Sequence, residues 1–447
     1  MSRTQSVSRK RKVLPQEPVE AEIEGLTHEG RGLAHFDGKA VFIDGALAGE
    51  RVRFRYTRMQ RRYDEGVVVE VLRAAPERVS PKCSHFGVCG GCSLQHMEAD
   101  AQIRAKQASL EDVLARIGKV TPQTWLAPLT AGAWGYRRKA RLGVRYVAKK
   151  GRTLVGFRER GNAFITDVSR CAVLHPSVGD RIQAIGAAVD ALSIREQVPQ
   201  IEVAMGDTPP VLVFRALSPP SAADLGVLEA LGESEGFHIY LQEAGPESIR
   251  PLPGQGITLH YELPRYDLRI EFEPTDFTQV NLELNRSMLD QALALLDVQA
   301  DERVLDLFCG VGNFTLPLAR QAEAVVGVEG DAGLVARAQA NAVLNKIGNA
   351  RFYTADLYGA LDQETWSREG FSKALLDPPR SGALAVLDWL PRLGVERVLY
   401  VSCYPTTLAR DADRLVNALG YRLVSAGVMD MFPQTAHVES MALFERC

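Results

Sequence analysis

Long apolar runs are missing from this 447-residue chain. No stretch approaches the roughly 18 to 20 uninterrupted apolar residues that a membrane helix requires, and no apolar segment follows the basic start. The expected compartment is the cytoplasm, without a membrane partner. Cysteine is scarce. The seven thiols fall at 83, 89, 92, 171, 309, 403 and 447, an odd number clustered at one place only, unlike a secreted disulfide framework. Net charge is also small, at −3, so bulk electrostatics does not announce a nucleic-acid partner. Internal repeats and extended low-complexity segments are absent. What is present is a globular composition, 46% apolar, on a chain too long for one core and sized for two or three domains.

The basic residues are unevenly placed. Residues 51 to 62 hold six arginines and no acid, and residues 137 to 160 hold ten Lys or Arg against the single acid Glu159. Residues 1 to 14 read as a flexible basic tail, with Arg9-Lys10-Arg11-Lys12 near its end. From 15 to 75, short alternating runs broken by glycine ("AVFIDG", "RVRFRY", "EGVVVEVL") predict a small β-barrel. In "RVRFRY" the period of two puts Arg51, Arg53 and Arg55 on one face and Val52, Phe54 and Tyr56 on the other.

Residues 76 to 268 read as a central α+β domain. A helix is expected over 97–117, with Ile103, Leu110, Leu114 and Ile117 on one stripe. "RRKARLGVRYVAKKGRTLVGFRER" predicts a hairpin turning near Lys150-Gly151, with Ala140, Leu142, Val144 and Tyr146 on one side. The order of elements from 178 to 265 is not legible. From 269 to the end, strands alternate regularly with helices, which predicts a parallel, doubly wound, Rossmann-like sheet with ligands at the strands' carboxyl ends.

In that last domain "VLDLFCGVGNF" (304–314) is a strand, a glycine turn and a helix start. It lacks the GxGxxG dinucleotide fingerprint and is weak alone. Glu329 ends the next strand, about twenty residues on, where a carboxylate can hold both ribose hydroxyls, and Asp356 ends the strand after that. This order resembles S-adenosylmethionine-dependent methyltransferases. "LLDPPR" (375–380) follows the fourth strand. Enzymes that methylate exocyclic amines of bases carry an aromatic residue where Arg380 stands, so amine methylation is disfavoured.

"VLYVSCYP" (398–405) ends the fifth strand on Cys403, beside the pocket that Asp377 lines. Carbon 5 of uracil is a poor nucleophile toward a sulfonium methyl group. A thiolate added at C6 makes C5 enolate-like, and a base must later remove the C5 proton so that the thiol is eliminated. Glu439 in "AHVESMALF", on a strand expected beside the fifth, is the leading base and His437 its rival. An ordinary thiol is only a few per cent ionised at neutral pH, so the site must lower its pKa or lend a base.

Taken together, "FTQVN" (277–281), "DLFCGVGNF", "LLDPPR", "VSCYP" and "HVESM" resemble the RNA uracil-C5 methyltransferase family over essentially the whole chain. The resemblance implies S-adenosyl-L-methionine contacts at Gln279, Phe308, Asn313, Glu329, Asp356 and Asp377. It also implies Cys403 as nucleophile and Glu439 as base, with Gln279 and Asp377 near the target base. Cytosine-C5 enzymes resemble a two-cysteine design with a second Cys after the Pro-Pro, where this chain has Arg380.

Cys83-x5-Cys89-x2-Cys92, with Cys171 far downstream, supplies four thiolates for tetrahedral zinc or an iron-sulfur cluster. The 5-then-2 spacing with a remote fourth ligand fits a cubane better, and the resemblance points to [4Fe-4S]. Cys309 reads as a packing residue and Cys447 as a terminal thiol. The barrel resembles a TRAM domain, an OB-like RNA-binding module. Its Arg51, Arg53, Arg55, Arg58, Arg61 and Arg62 could track phosphates, with Tyr56 and Tyr63 as stacking platforms. Tyr136 and Tyr146, flanking five basic residues, form a second candidate surface. Barrel, cluster cysteines and catalytic domain together match the branch of the family that acts on 23S ribosomal RNA. The alternatives are a dual-site enzyme on the same RNA or a tRNA enzyme, and no protein partner is implied.

Overall fold

The computed structural model describes residues 14–359, 361–362 and 364–447. The basic tail, apart from its last residue, lies outside them. No helix among the described residues is long and apolar enough to cross a membrane.

The first layer is a six-stranded sheet, in the order Val19–Glu22, Arg51–Met59, Tyr63–Arg73, Lys39–Asp44, Gly32–Phe36 and Gly25–Leu26. The period of two reads through. Val52 and Phe54 are fully buried with Ala21, Ile23, Val41 and Ile43, and a Cβ on Gly66 would stand 2.4 Å from the Phe54 ring. The arginine face differs from expectation. Arg51 pairs with Glu20 at 2.7 Å and Arg53 with Glu70 at 2.8 Å, because the neighbouring strands put acids directly opposite. Only Arg55, Arg58, Arg61 and Arg62 of the six have no ion pair among the described residues. Tyr56 lies edge-on against Phe54, ring centroids 4.9 Å apart, and Tyr63 packs on Phe42 at 5.3 Å, so neither ring is free on both faces.

The second sheet runs Arg250–Pro251, His238–Gln242, Val211–Arg215, Gln200–Ala204, Lys139–Val147 and Arg152–Gly156. Helices Ile182–Ala191 and Ala222–Glu235 contribute to its apolar core. The expected hairpin forms about Gly151, which takes φ +63°. The second basic surface is only partly as expected: Arg141 and Arg145 are exposed, whereas Tyr136, Arg138 and Lys139 are engaged inward. Tyr136 is buried with its hydroxyl donating to Pro433 O at 2.9 Å, Arg138 donates to Gly206 O, and the Lys139 ammonium reaches Pro274 O at 3.2 Å. These side chains bind the central sheet to the catalytic half, a contact that no local pattern encodes.

The third sheet has eight strands. Ala350–Thr354, Ala324–Glu329, Arg303–Leu307, Lys373–Leu376 and Arg397–Ser402 run parallel, followed by Glu439–Arg446, Tyr421–Met429 and the short Thr124–Trp125. Glu439–Arg446 is antiparallel to both neighbours. Two apolar cores cover its two faces, as a doubly wound sheet requires. Helix Ala99–Val113 and strand Thr124–Trp125, placed by sequence in the central segment 76–268, pack with this catalytic core. The helix closes in a π-turn, Leu114–Gly118. Its wider winding rotates Ile117 off the apolar stripe to 43% exposure.

Lys106, on that helix, is buried and donates to Asp430 Oδ1 at 2.6 Å and Phe432 O at 3.0 Å. Removing one partner of a buried ion pair leaves a charge without compensation, at a cost of about 3 to 5 kcal/mol. Lys106→Met is expected to lower the denaturation midpoint of the catalytic half accordingly. An unchanged midpoint would show that the pair does not hold the helix to the sheet.

Candidate active site

The glycine turn after strand Arg303–Leu307 carries local strain. Phe308 takes φ +65°, a left-handed conformation that is uncommon for an aromatic residue and persists where surrounding structure imposes it. Asp306, on the strand below, is fully buried. Burial lifts its pKa to about 8, and Thr315 Oγ1 donates to it at 2.5 Å, bracing the turn from beneath. Gly310 N–H donates to Glu329 Oε2 at 3.1 Å, and Gly330 N–H to Glu329 Oε1 at 2.7 Å. The Glu329 carboxylate thus faces the turn from the end of the next strand. Asp356 ends the third strand, holding Tyr358 N–H at 2.9 Å, and the Tyr358 ring lies 5.9 Å from that of Phe308.

Asn313 is a different matter. Its Oδ1 accepts from Tyr261 at 2.8 Å and from Asn285 at 3.1 Å, and its Nδ2 donates to Asn285 Oδ1 at 3.0 Å. The side chain is spent on holding the helix Leu282–Leu296 against the turn. Gln279 lies in the segment that precedes this helix, tied in by Arg138 N–H donating to Val280 O at 2.9 Å. Its amide makes no hydrogen bond among the described residues.

Cys403 lies in the link between strand Arg397–Ser402 and helix Pro405–Asn417. Tyr404 N–H donates to Ser402 Oγ at 3.1 Å, and Pro405 is the first helical residue. Ser402 faces Ser440 across the antiparallel ladder, and Glu439 in turn faces Met429. That register brings Glu439 to the strand end where Cys403 sits. Asp377 follows the adjacent parallel strand Lys373–Leu376. Cys403, Tyr404, Arg380 and His437 line a groove of about 620 Å³, whose far wall includes Cys92 and Glu29.

The electrostatics favour one of the two expected routes, a lent base over a lowered thiol pKa. Burial, then the carboxylates of Glu439 and Asp377, push the Cys403 thiol up to about 12, with Arg380 opposing. Burial and Asp377 hold Glu439 well above the usual carboxylate range, and burial beside Glu329 raises Asp377 to about 7. The site does not keep a resting thiolate. It surrounds a protonated thiol with two carboxyls whose basicity is raised, which is the other route to a competent nucleophile. His437 stands at the groove rim with its outer edge open to solvent and Nδ1 3.5 Å from Arg380 Nη2, and partial desolvation of the ring and the Arg380 charge lower its pKa.

Cys83, Cys89, Cys92 and Cys171 line one pocket together with Gln95 and Phe157. All seven cysteines are unpaired. Cys309 is buried behind the glycine turn and Cys447 is exposed. The sequence reading missed Lys106, whose charge opposes the rise at Glu439, and the strained backbone at Phe308.

A thiol held protonated to about pH 12 alkylates slowly at neutral pH, and its rate climbs with pH without levelling near 8.5. Iodoacetamide labelling with peptide mapping is expected to show this at Cys403. Glu439→Gln removes a negative neighbour and should lower the pKa and speed labelling. A plateau near pH 8.5 in the unmodified protein would contradict the electrostatic assignment.

Comparison with known proteins gives a consistent result. The family model of the tRNA (uracil-5-)-methyltransferases matches residues 259–447, and that of the TRAM domain matches residues 13–69. A 23S rRNA (uracil(1939)-C(5))-methyltransferase RlmD from Nitrosococcus oceani is 56% identical, over 98% of each chain. The RlmD protein of Methylococcus capsulatus is 53% identical, over 98% of this chain and 99% of its own. Among solved structures, the Pyrococcus abyssi tRNA (uracil-54, C5)-methyltransferase in complex with S-adenosyl-L-homocysteine superimposes with a TM-score of 0.73. It shares 23% identity and covers 95% of this chain and 99% of its own, a likeness of fold. With identity above half along nearly the full length of both chains, this protein belongs to the RNA (uracil-C5)-methyltransferase family, in the branch of the RlmD proteins.

Proposed function

We propose that the protein transfers a methyl group from S-adenosyl-L-methionine to C5 of a specific uridine in 23S ribosomal RNA through a covalent Cys403 adduct. The observation that carries this reading is the antiparallel ladder that delivers Glu439 to the strand end bearing Cys403. Full-length identity to proteins named for 23S rRNA favours ribosomal RNA over tRNA.

In the proposed sequence, the Cys403 thiol gives its proton to a neighbouring carboxylate as sulfur bonds to C6 of uracil. The C5=C6 π electrons move to C5 and the C4 oxygen. C5 then takes the methyl group from the sulfonium, which leaves as S-adenosyl-L-homocysteine. Glu439 removes the C5 proton, the C5=C6 bond re-forms, the C6–S bond breaks, and the departing sulfur takes back the proton from the first carboxyl to return the thiol. Atoms and charge balance with one proton released. The raised basicity of Asp377 suits acceptance of the thiol proton and that of Glu439 suits removal of the C5 proton. The RNA base must leave its stack to enter the groove, at a cost of a few kcal/mol. For the cofactor, Glu329 fits the ribose hydroxyls. Phe308 and Asp356 flank the adenosine position, and Gln279 and Asp377 stand toward the reacting carbon. Asn313 contributes by fixing the turn, its side chain being already engaged.

Cys83, Cys89, Cys92 and Cys171 are the residues we assign to a [4Fe-4S] cluster. Burial and mutual repulsion push the thiols of Cys89, Cys92 and Cys171 up, Cys92 to about 12. Four thiolates there need a cationic centre to offset them. Among the described residues no three His, Cys, Asp or Glu side chains stand so as to hold a metal ion, whereas all four thiols wall one pocket. A cluster bound there would be held by three thiolates of the 83–92 loop and one from Cys171, tying the two segments together. On the barrel, Arg55, Arg58, Arg61 and Arg62 remain for phosphate.

Tritium-labelled methyl transfer to unmethylated 23S rRNA, with the product mapped, tests the reaction. Cys403→Ala is expected to fall to background, and surviving activity would exclude the covalent route. In Glu439→Gln addition proceeds while elimination slows about 10²- to 10⁴-fold, so a covalent RNA adduct accumulates. Free, unmodified RNA in that variant would place the base elsewhere. Anaerobic purification is expected to yield about four iron and four sulfide per chain. A colourless protein with one stoichiometric zinc would overturn the cluster assignment.

A further inference from the structure

The central hairpin is followed by a closed loop whose tip holds an aromatic ring in water. Glu159 N–H donates to Phe164 O at 2.8 Å, Phe164 N–H donates to Asn162 Oδ1 at 2.8 Å, and Gly161 turns with φ +75°. The backbone is pinned while the Phe164 side chain is 72% exposed. Single exposed apolar side chains are ordinary, but this one borders a second groove, of about 1280 Å³, lined by Arg141, Arg145, Lys150, Arg158 and Arg160. Glu202, Asp167 and Asp44 pair with Arg141, Lys150 and Arg160 respectively. Arg145 and Arg158 have no ion pair among the described residues, and both are exposed.

The second groove is continuous with the one at Cys403. The two share Gly90, Gly91 and Phe157. The saddle between them is bare backbone there because a Cβ on Gly90 would stand 3.0 Å from Arg158 O. Gly90 N–H donates to Arg158 O at 2.9 Å, and Arg160 reaches Cys92 O at 2.8 Å. The loop that separates the grooves therefore also fixes the segment that carries Arg158, just past strand Arg152–Gly156, while Arg145 stands on the paired strand Lys139–Val147.

We infer that this second groove binds unpaired nucleotides flanking the target uridine, with Phe164 stacking on one base and Arg145 and Arg158 neutralising phosphates. The inference rests on the reading that the protein methylates RNA. Unreciprocated arginines beside a rigid, solvent-facing ring match a polyanion that presents flat apolar bases, and stacking on both faces requires those bases to be unpaired. An acidic protein surface would satisfy the arginines but would give the ring no flat partner.

The test uses the full-length protein and an unmethylated 23S rRNA transcript, with Kd by filter binding and KM and kcat by methyl transfer. Phe164→Ala is expected to raise Kd and KM about tenfold, most of the loss falling on KM, and Phe164→Trp to restore both. The double variant Arg145→Ala/Arg158→Ala should reduce the slope of log affinity against log salt by roughly 1.4, two single-strand phosphates. Matching melting temperatures separate these effects from misfolding. Unaltered affinity in Phe164→Ala, including the case in which the patch serves a protein instead, overturns the inference. Absence of methylation by the unmodified enzyme would defeat the underlying reading.

Discussion

Strand Glu439–Arg446 runs antiparallel between two others, and its register decides what chemistry the molecule can do. Ser402 opposite Ser440 on one side and Met429 opposite Glu439 on the other fix the start of this strand against the carboxyl end of Arg397–Ser402. Slipping by one residue would turn every side chain on it to the other face of the sheet. Both faces are buried, with Met441 and Leu443 in one core and Ala442 and Phe444 in the other, so a slip would disrupt both. The packing of the sheet thus sets the position of Glu439, the proposed base, relative to Cys403, the proposed nucleophile. Lys106 and Asp430 add a buried pair at the end of the same strand pair.

A site with a thiol and two carboxyls in partial burial accumulates negative charge that it cannot ionise all at once. Beyond burial, Glu439 and Asp377 raise the thiol, Asp377 raises Glu439 and Glu329 raises Asp377, while Arg380 opposes the rise at Cys403 and Lys106 and Arg380 oppose it at Glu439. These shifts favour the protonated forms of Cys403, Glu439 and Asp377. The proposed sequence of thiol addition, proton removal and thiol release calls for groups of raised basicity, because proton transfer to and from sulfur and carbon changes direction within one turnover. Arg380 also stands at the groove entrance beside His437, where a positive charge favours an incoming phosphate.

Much of this was legible because local rules and global packing agree. The period of two in Arg51–Tyr56, the alternation of strand and helix after 269, and cysteine placement at a strand end each follow from backbone geometry. The failures share a cause. Lys106 reads as a solvent-facing charge on an amphipathic helix, since its partner is 324 residues away. Tyr136 and Lys139 read as a surface because the catalytic segments that bury them, near Pro433 and Asp276, are equally remote. Ile117 is displaced by a π-turn that hydrophobic periodicity does not foresee. Arg51 and Arg53 meet acids through strand pairing. The pKa of Cys403 depends on which neighbours the fold assembles, so the sequence leaves open whether the thiol pKa is lowered or a base is lent, and the fold holds the thiol protonated beside raised carboxyls.

The covalent route through Cys403 is tested most directly with 23S rRNA bearing 5-fluorouridine at the target. Fluorine replaces the C5 proton that Glu439 must remove, so elimination cannot follow methyl transfer. Nuclease and protease digestion followed by mass spectrometry should yield the Cys403 peptide joined to a nucleotide that carries both fluorine and a methyl group derived from S-adenosyl-L-methionine. Attachment at any other residue, or methylated fluorouridine released free of protein, would contradict the account.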